Sequence, residues 1–363
     1  MTEKSGWLVE ISHAVEPFEQ EWRLLRQPDN STPFQDFDLM QVFYRQLAAN
    51  GLMQPVIALV RYPDGTAAAL FPMMKMRRHG LTWLRMDASP LDHCVPLLDT
   101  SLQQHDIKTI ISAVIAAVPG VDLLYCTKMP EHFEGRENPL TKFENVARLR
   151  LSAWQLELAG ASWKELVAKR QKRFKSKLSS RTKQLSASHD RQFAIRFGAD
   201  VSAADLMEFK ALRASGFSEK DRTDILGDAD WAGFYDGMLE KAGGTCQAFL
   251  ATLKADGLMI AGLYGFASDG RAEIVLPASL MGEWKDVLPG LQLFDETLGH
   301  FFNEQYRLYD FSIGDMAYKR RFGAEQVNMY DALFPASLAG RLYFLAWRFK
   351  TAIRARMKPV VTE

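Results

Sequence analysis

The sequence predicts an α/β protein of mixed (α+β) sheets built as two tandem units, and three observations carry that prediction. The chain has 363 residues, more than one ordinary core serves; at about 150 residues per domain, two are expected. Hydrophobic residues make up 47%, charged residues 24% and aromatics 11%, the composition of a folded globular chain and not of a disordered one. The third observation is internal repetition. Residues 55–71 and 248–264 both read as β-rich apolar runs around an Asp-Gly pair, Asp64-Gly65 and Asp256-Gly257, set 192 residues apart. Asp-Gly between such runs marks a hairpin, because glycine tolerates the positive φ of a tight turn.

The remaining elements repeat in the same order. A helical pattern over residues 39–49 precedes the first hairpin, and patterns over 163–185, 203–214 and 231–241 precede the second. Each hairpin is followed by a third strand-like run (81–86 and 272–277), a helix (107–118 and 291–302) and a short strand (121–126 and 308–312). The order β-β-β-α-β thus occurs twice. The expected division is 1–150 for the N-terminal unit, 151–335 for the C-terminal unit and 336–363 for a separate basic amphipathic helix. In that last segment Leu342, Leu345, Ala346, Phe349 and Ile353 keep helical spacing beside Arg341, Arg348, Arg354, Arg356 and Lys358. Interfacial membrane helices and helices docked by their apolar face share this pattern; docking is the expectation and peripheral membrane contact the alternative.

Charge and motif content remove several function classes. With 44 basic and 44 acidic residues the chain has no net field to draw it onto nucleic acid or an anionic membrane, so any polyanion site must be local. Cys94, Cys126 and Cys246 are odd in number and never form C-x-x-C, which fits neither a disulfide framework nor structural zinc. The N-terminus has no signal-like apolar stretch, and residues 107–125 are interrupted by Lys108, Pro119, Gly120 and Asp122, so no membrane span is expected. A cytoplasmic protein is expected, with the inner face of the membrane as its peripheral alternative. There is no G-x-S-x-G, H-E-x-x-H, Walker loop or G-x-G-x-x-G, and the seven histidines lack ligand spacing, so no metal is expected.

Three stretches could carry chemistry. Ser162-Trp-Lys-Glu165 is a capping box opening the most polarised helix, in which residues 166–189 hold eight Lys or Arg and no Asp or Glu. Trp163, Val167, Phe174, Leu178 and Leu185 form its apolar stripe; Arg170, Arg173 and Lys177 are candidate phosphate contacts on the cationic remainder. The second stretch, Leu288-Pro-Gly-Leu291, follows a strand and starts a helix, so amides around Pro289, Gly290 and Leu291 are candidates to hold a pyrophosphate. The third, residues 309–325, is the densest polar cluster at a predicted strand end, where α/β units usually bind ligands.

Within that cluster Tyr309-Asp-Phe-Ser-Ile-Gly-Asp315 followed by Tyr318-Lys-Arg-Arg-Phe-Gly323 resembles the C-terminal signature of the CelD/BcsL-like acetyltransferases, a branch of the GNAT superfamily related to the Fem aminoacyltransferases. Leu288-Pro-Gly290 resembles that family's helix start, the basic helix its Arg/Lys-rich segment, and the loop 86–93, with Asp92 as a substrate contact, its first-half loop. The resemblance implies two tandem GNAT-like units and transfer of an acyl group, acetyl or another, from acyl-CoA as cosubstrate to an amine or hydroxyl of a polysaccharide or glycan precursor. It also implies a place for Lys319 beside the acyl carbonyl, where an ammonium would stabilise the oxygen as it gains charge, with Tyr318 and Asp315 to hold the lysine or relay a proton. The usual GNAT pyrophosphate motif is absent around Pro289. Two alternatives stand beside this reading: a Fem-like transferase fed by aminoacyl-tRNA, and a non-catalytic partner in exopolysaccharide (cellulose) biosynthesis.

Overall fold

The structure is a computed structural model and describes residues 6–48, 53–86, 91–218, 223–241 and 243–356. The fold is mixed α/β, in two compact units: the first comprises the chain up to Ser152 together with the segment from Val327, the second Ala153–Gln326. In chain order the first half gives β1 (Leu8–Ser12), α1 (Glu19–Leu25), α2 (Phe37–Ala48), β2 (Gln54–Arg61), β3 (Ala67–Arg78), β4 (Leu81–Arg85), β5 (Leu97–Leu98), α3 (Gln104–Ala117), β6 (Leu123–Pro130) and β7 (Val146–Glu157). The second gives α4 (Trp163–Lys169), α5 (Lys172–Ser188), β8 (Arg191–Phe197), α6 (Ala203–Ser218), α7 (Ala229–Glu240), β9 (Cys246–Ala255), β10 (Leu258–Ser268), β11 (Arg271–Ser279), α8 (Pro289–Asn303), β12 (Leu308–Ile313), α9 (Ala317–Arg321), β13 (Glu325–Pro335) and α10 (Leu338–Arg356).

The two units have one topology. In the first, β1-β2-β3-β4 run antiparallel, β4 and β6 are parallel, and β13 closes the sheet antiparallel to β6. In the second, β8-β9-β10-β11 run antiparallel, β11 and β12 are parallel, and residues 153–157 of β7 close the sheet antiparallel to β12. The repeat read from the two Asp-Gly hairpins is therefore a repeat of the whole sheet. At the second hairpin the two loop residues, Asp256 and Gly257, have φ of 51° and 84°, the conformation whose twist suits paired strands.

The closing strands depart from the expected division 151–335. Residues 327–335 belong with the first unit, because Ala332, Leu333 and Phe334 face Cys126, Tyr125 and Leu124 across the ladder and Asp331 accepts from Tyr125 Oη at 2.8 Å and from Thr127. Helix α10 also belongs there and is not a separate element. Its docked side is not the expected Leu342, Leu345, Ala346, Phe349 and Ile353 but Tyr343, Phe344 and Trp347, which pack on Trp83, Leu123 and Leu333. Aromatic rings offer more area per position than leucines, and Gly340 lets the helix backbone lie on the carbonyl of Asp122.

The basic helix is broken too. Arg170, the C-cap of α4, and Gln171, the N-cap of α5, leave helical geometry, and the Gln171 amide donates to the Arg321 carbonyl at 3.3 Å. The stripe survives the break: Leu166, Phe174, Leu178 and Leu185 are buried in the second unit's core. The three cysteines are buried and unbridged.

A β-carbon at Gly340 would lie 2.1 Å from the Asp122 carbonyl oxygen. Gly340→Ala is therefore expected to force α10 outward and to cost about 1–3 kcal/mol, read as a lower thermal midpoint. An unchanged midpoint would mean that the helix is not seated there.

Candidate active site

The site is built by the parting of two strands. β11 and β12 pair only through Arg271–Leu308, Ala272–Tyr309 and Glu273–Asp310, although β11 runs on to Ser279 and β12 to Ile313. The end of β12 bends away: its register against β7 slips between Asp310 and Ile313, and Ser312 has a left-handed φ of 61°. Side chains hold that bend from both sides. Asp310 Oδ1 accepts the Ser312 amide at 2.7 Å, while Lys319 Nζ donates to the Ser312 carbonyl at 2.8 Å. Asp310 is in turn fixed by Arg271 and by Gln155 Nε2 at 2.8 Å. Beyond the third pair, the β12-facing edge of residues 274–279 has no strand partner among the described residues, and such an edge can hydrogen-bond an extended ligand.

A cleft of about 530 Å³ opens at this wedge, with Leu263, Leu291, Phe294 and Phe217 among its apolar walls. Its floor is the start of α8, where Leu288 has φ 55° and ψ 52°. A left-handed conformation costs a side-chain-bearing residue about 1–2 kcal/mol. Here it turns the Leu288 carbonyl to receive the amides of Leu291 and Gln292, both at 3.1 Å. Of the expected phosphate-binding amides, Leu291's is thus already engaged, and Pro289 has none. Gly290 lies close against β11: a β-carbon there would be 3.1 Å from Ser279 Oγ, tighter than ordinary contact.

Polar groups in the cleft are few. Tyr318 lines it beside Phe294, ring centroids 5.0 Å apart, and burial pushes its phenol well above the ordinary tyrosine range, so it is a hydrogen-bond donor at neutral pH. Arg213, from α6, is buried against Asp224 at 2.6 Å, stacks on Phe217 and donates to the Pro277 carbonyl at 2.9 Å, fixing the end of β11. Lys285 stands exposed at the rim. Among the described residues no carboxylate or histidine lines the cleft.

The expected site residues therefore separate. Pro289, Gly290, Leu291 and Tyr318 meet in the cleft. Lys319 is buried behind it under the β12–α9 turn, and Asp315 accepts from Trp154 Nε1 at 3.2 Å, not from the lysine. Arg170 is turned inward, paired with Asp295 at 2.7 Å and held between Trp163 and Phe322, while Arg173 and Lys177 are exposed on α5 away from the cleft. Burial raises the Asp295 carboxyl, which the Arg170 charge partly offsets. Asp92 lies in the first unit and pairs with Lys128 at 2.7 Å; residues 87–90 of its loop lie outside the described residues. Arg213, Asp224 and the strained Leu288 were missed from the sequence, since each depends on a partner distant in the chain or on backbone geometry.

Packing explains much of the signature. Phe322 is fully buried among Phe174, Phe294 and Phe311, with centroids 5.0–6.3 Å away. Gly323 has φ 88°, and a β-carbon on it would come within 2.8 Å of Lys169 Cβ at the end of α4.

Fold and site together define a chain of two units with one topology, the second carrying an apolar cleft between parted strands. Residues 172–320 match the sequence family described as "Acetyltransferase (GNAT) domain". No curated protein matches the chain. Among solved structures it is similar to FemX, at 12% identity over 93% of this chain and 99% of that one with TM-score 0.61. L-PGS from Bacillus licheniformis is 11% identical over 95% and 99%, TM-score 0.54. A tandem GNAT protein from the clavulanic acid biosynthesis pathway is 12% identical over 91% and 99%, TM-score 0.52. At these identities the likeness is one of fold.

Gly290→Val should crowd Ser279 and narrow the start of the cleft, so a ligand seated at this helix start should bind about tenfold or more weakly in a protein that still melts cooperatively. Equal affinity in the folded variant, measured by calorimetric titration, would remove this helix start from the site.

Proposed function

We propose that the second unit is the catalytic half of a GNAT-type acyltransferase that moves an acyl group, acetyl in the first instance, from acyl-CoA to an amine or hydroxyl. The observation that carries this reading is the wedge between β11 and β12, whose unpaired edge suits an extended amide-containing arm and whose apolar walls suit a thioester. Acceptor nitrogen or oxygen would bond to the carbonyl carbon, the carbon–sulfur bond would break, and the proton lost by the acceptor would balance the one gained by the thiol. Tyr318, kept protonated by burial, would donate to the oxygen or sulfur as charge develops. Lys319 is read as a positioning residue that holds the bend opening the wedge.

A glycan-type acceptor, a link to exopolysaccharide synthesis and a cytoplasmic location belong to the same proposal; the sequence resemblance supports the first two and the buried, unbridged cysteines suit the third. One observation favours a second reading, an aminoacyl-tRNA donor: the exposed cations of α5, Arg173 and Lys177 among them, could contact RNA phosphates. Micromolar binding of acetyl-CoA with none of charged tRNA supports the first reading, and the reverse result supports the second.

Three outcomes are expected of the enzyme. Tyr318→Phe should lower kcat about 10²–10³-fold with little change in KM or thermal midpoint; wild-type turnover would exclude the phenol. Lys319→Met should weaken acetyl-CoA binding and lower the thermal midpoint together, since the Ser312 carbonyl loses its donor; a loss of kcat alone would return the lysine to the carbonyl. Because no carboxylate or histidine lines the cleft among the described residues, kcat/KM for amine acceptors should rise with pH to each acceptor's own pKa. A break at one fixed pH for every acceptor would reveal a general base.

A further inference from the structure

Helix α10 turns its aromatic side inward and leaves its aliphatic side uncovered. Leu338, Leu342, Leu345, Phe349 and Ile353, spaced four, three, four and four residues apart, are 78%, 70%, 61%, 71% and 46% exposed. At 1.5 Å per residue they form a seam of roughly 22 Å, longer than the scattered apolar residues that single proteins normally show to water. The seam is fixed in place by the inner side, where Trp83 meets Tyr343 edge-on with centroids 5.0 Å apart. Arg341 and Arg348 lie along one border of the seam by helical position and Lys350 along the other, all exposed, and the helix contains no Asp or Glu.

Beneath the same helix is a pocket of about 250 Å³. Lys350 lines it with Arg78, His79 and Arg85, beside the rings of Trp83, Tyr125, Tyr343 and Trp347, and among the described residues no carboxylate lines it. Cations and ring edges in a concave site attract a phosphate. An exposed apolar stripe with cationic borders next to such a pocket matches a surface that offers acyl chains and phosphates together. A second copy of α10 would instead bring like charges face to face. Among the described residues no helix is long and apolar enough to cross a membrane, so the match is to lying on a bilayer.

We propose that α10 docks the first unit on an anionic phospholipid surface, with Leu342, Leu345 and Phe349 among the acyl chains, Arg341 and Arg348 at headgroup phosphates, and the pocket of Arg78, Arg85 and Lys350 taking one phosphate. This goes beyond the acyl-transfer reading and does not depend on it. The test is co-sedimentation of the full chain with vesicles of phosphatidylcholine alone and of phosphatidylcholine with phosphatidylglycerol. Binding should be about tenfold or more stronger on the anionic vesicles and should weaken with salt. Leu342→Glu combined with Phe349→Glu should abolish it while leaving the thermal midpoint unchanged, as both sites are exposed. Arg85→Ala with Lys350→Ala should reduce only the preference for anionic lipid. The proposal is overturned by equal binding of the glutamate variant, by no binding to anionic vesicles, or by a lipid-free dimer that the glutamate variant dissolves. Inorganic phosphate bound in the pocket by a chain that ignores the vesicles would also overturn it and assign the pocket to a soluble anion.

Discussion

The bend at Ser312 is the constraint on which the second unit's site depends. A parallel pair left to itself would continue its ladder, since each further bond removes two unpaired backbone groups. Here the ladder stops after Glu273–Asp310 because the Asp310 carboxylate and the Lys319 ammonium occupy the Ser312 amide and carbonyl. The charges doing this are buried: Asp310 is 0% exposed, and Lys319 and the Arg271 that holds Asp310 are each 3%. Taking ions out of water consumes most of what their attraction returns, so a buried pair of this sort contributes geometry more than stability. What it secures is an open strand edge at the mouth of an apolar cleft.

The elements were largely legible in the sequence because they rest on local signals. Hairpins at Asp64-Gly65 and Asp256-Gly257, the Pro-first start of α8 and the capping box at Ser162 all appear where pattern and propensity place them. What failed was what needs long-range partners. Nothing in residues 163–185 announces that Arg170 will turn inward to Asp295 and break the helix. Periodicity singled out the aliphatic face of α10 for docking and passed over Tyr343, Phe344 and Trp347, which keep helical spacing as well and are the side that meets the sheet. The site was legible to the segment and not to the atom: the polar cluster at 309–325 lies at the wedge, yet Tyr318 faces the cleft while its neighbour Lys319 braces the strand behind it.

A signature can therefore be a record of packing as much as of chemistry. Phe322 fills the core and Gly323 admits the end of α4, so both would be required in an inactive relative of the same fold. The polar groups that line the cleft are few and sit on separate elements: Tyr318 after β12, Ser279 at the end of β11, Lys285 in the loop between β11 and α8, Arg213 on α6.

The exchange of closing strands has a consequence for how the chain is made. β6 ends at Pro130, but the strand that covers its edge does not begin until Glu325. A ribosome must add nearly two hundred further residues before the first sheet can be completed, and throughout that interval the edge formed by Leu124, Tyr125 and Cys126 is open to pairing with the wrong strand. The second unit meets no such delay, because residues 153–157 precede everything else in it. Synthesis runs from the N-terminus, yet the half made first is the half finished last.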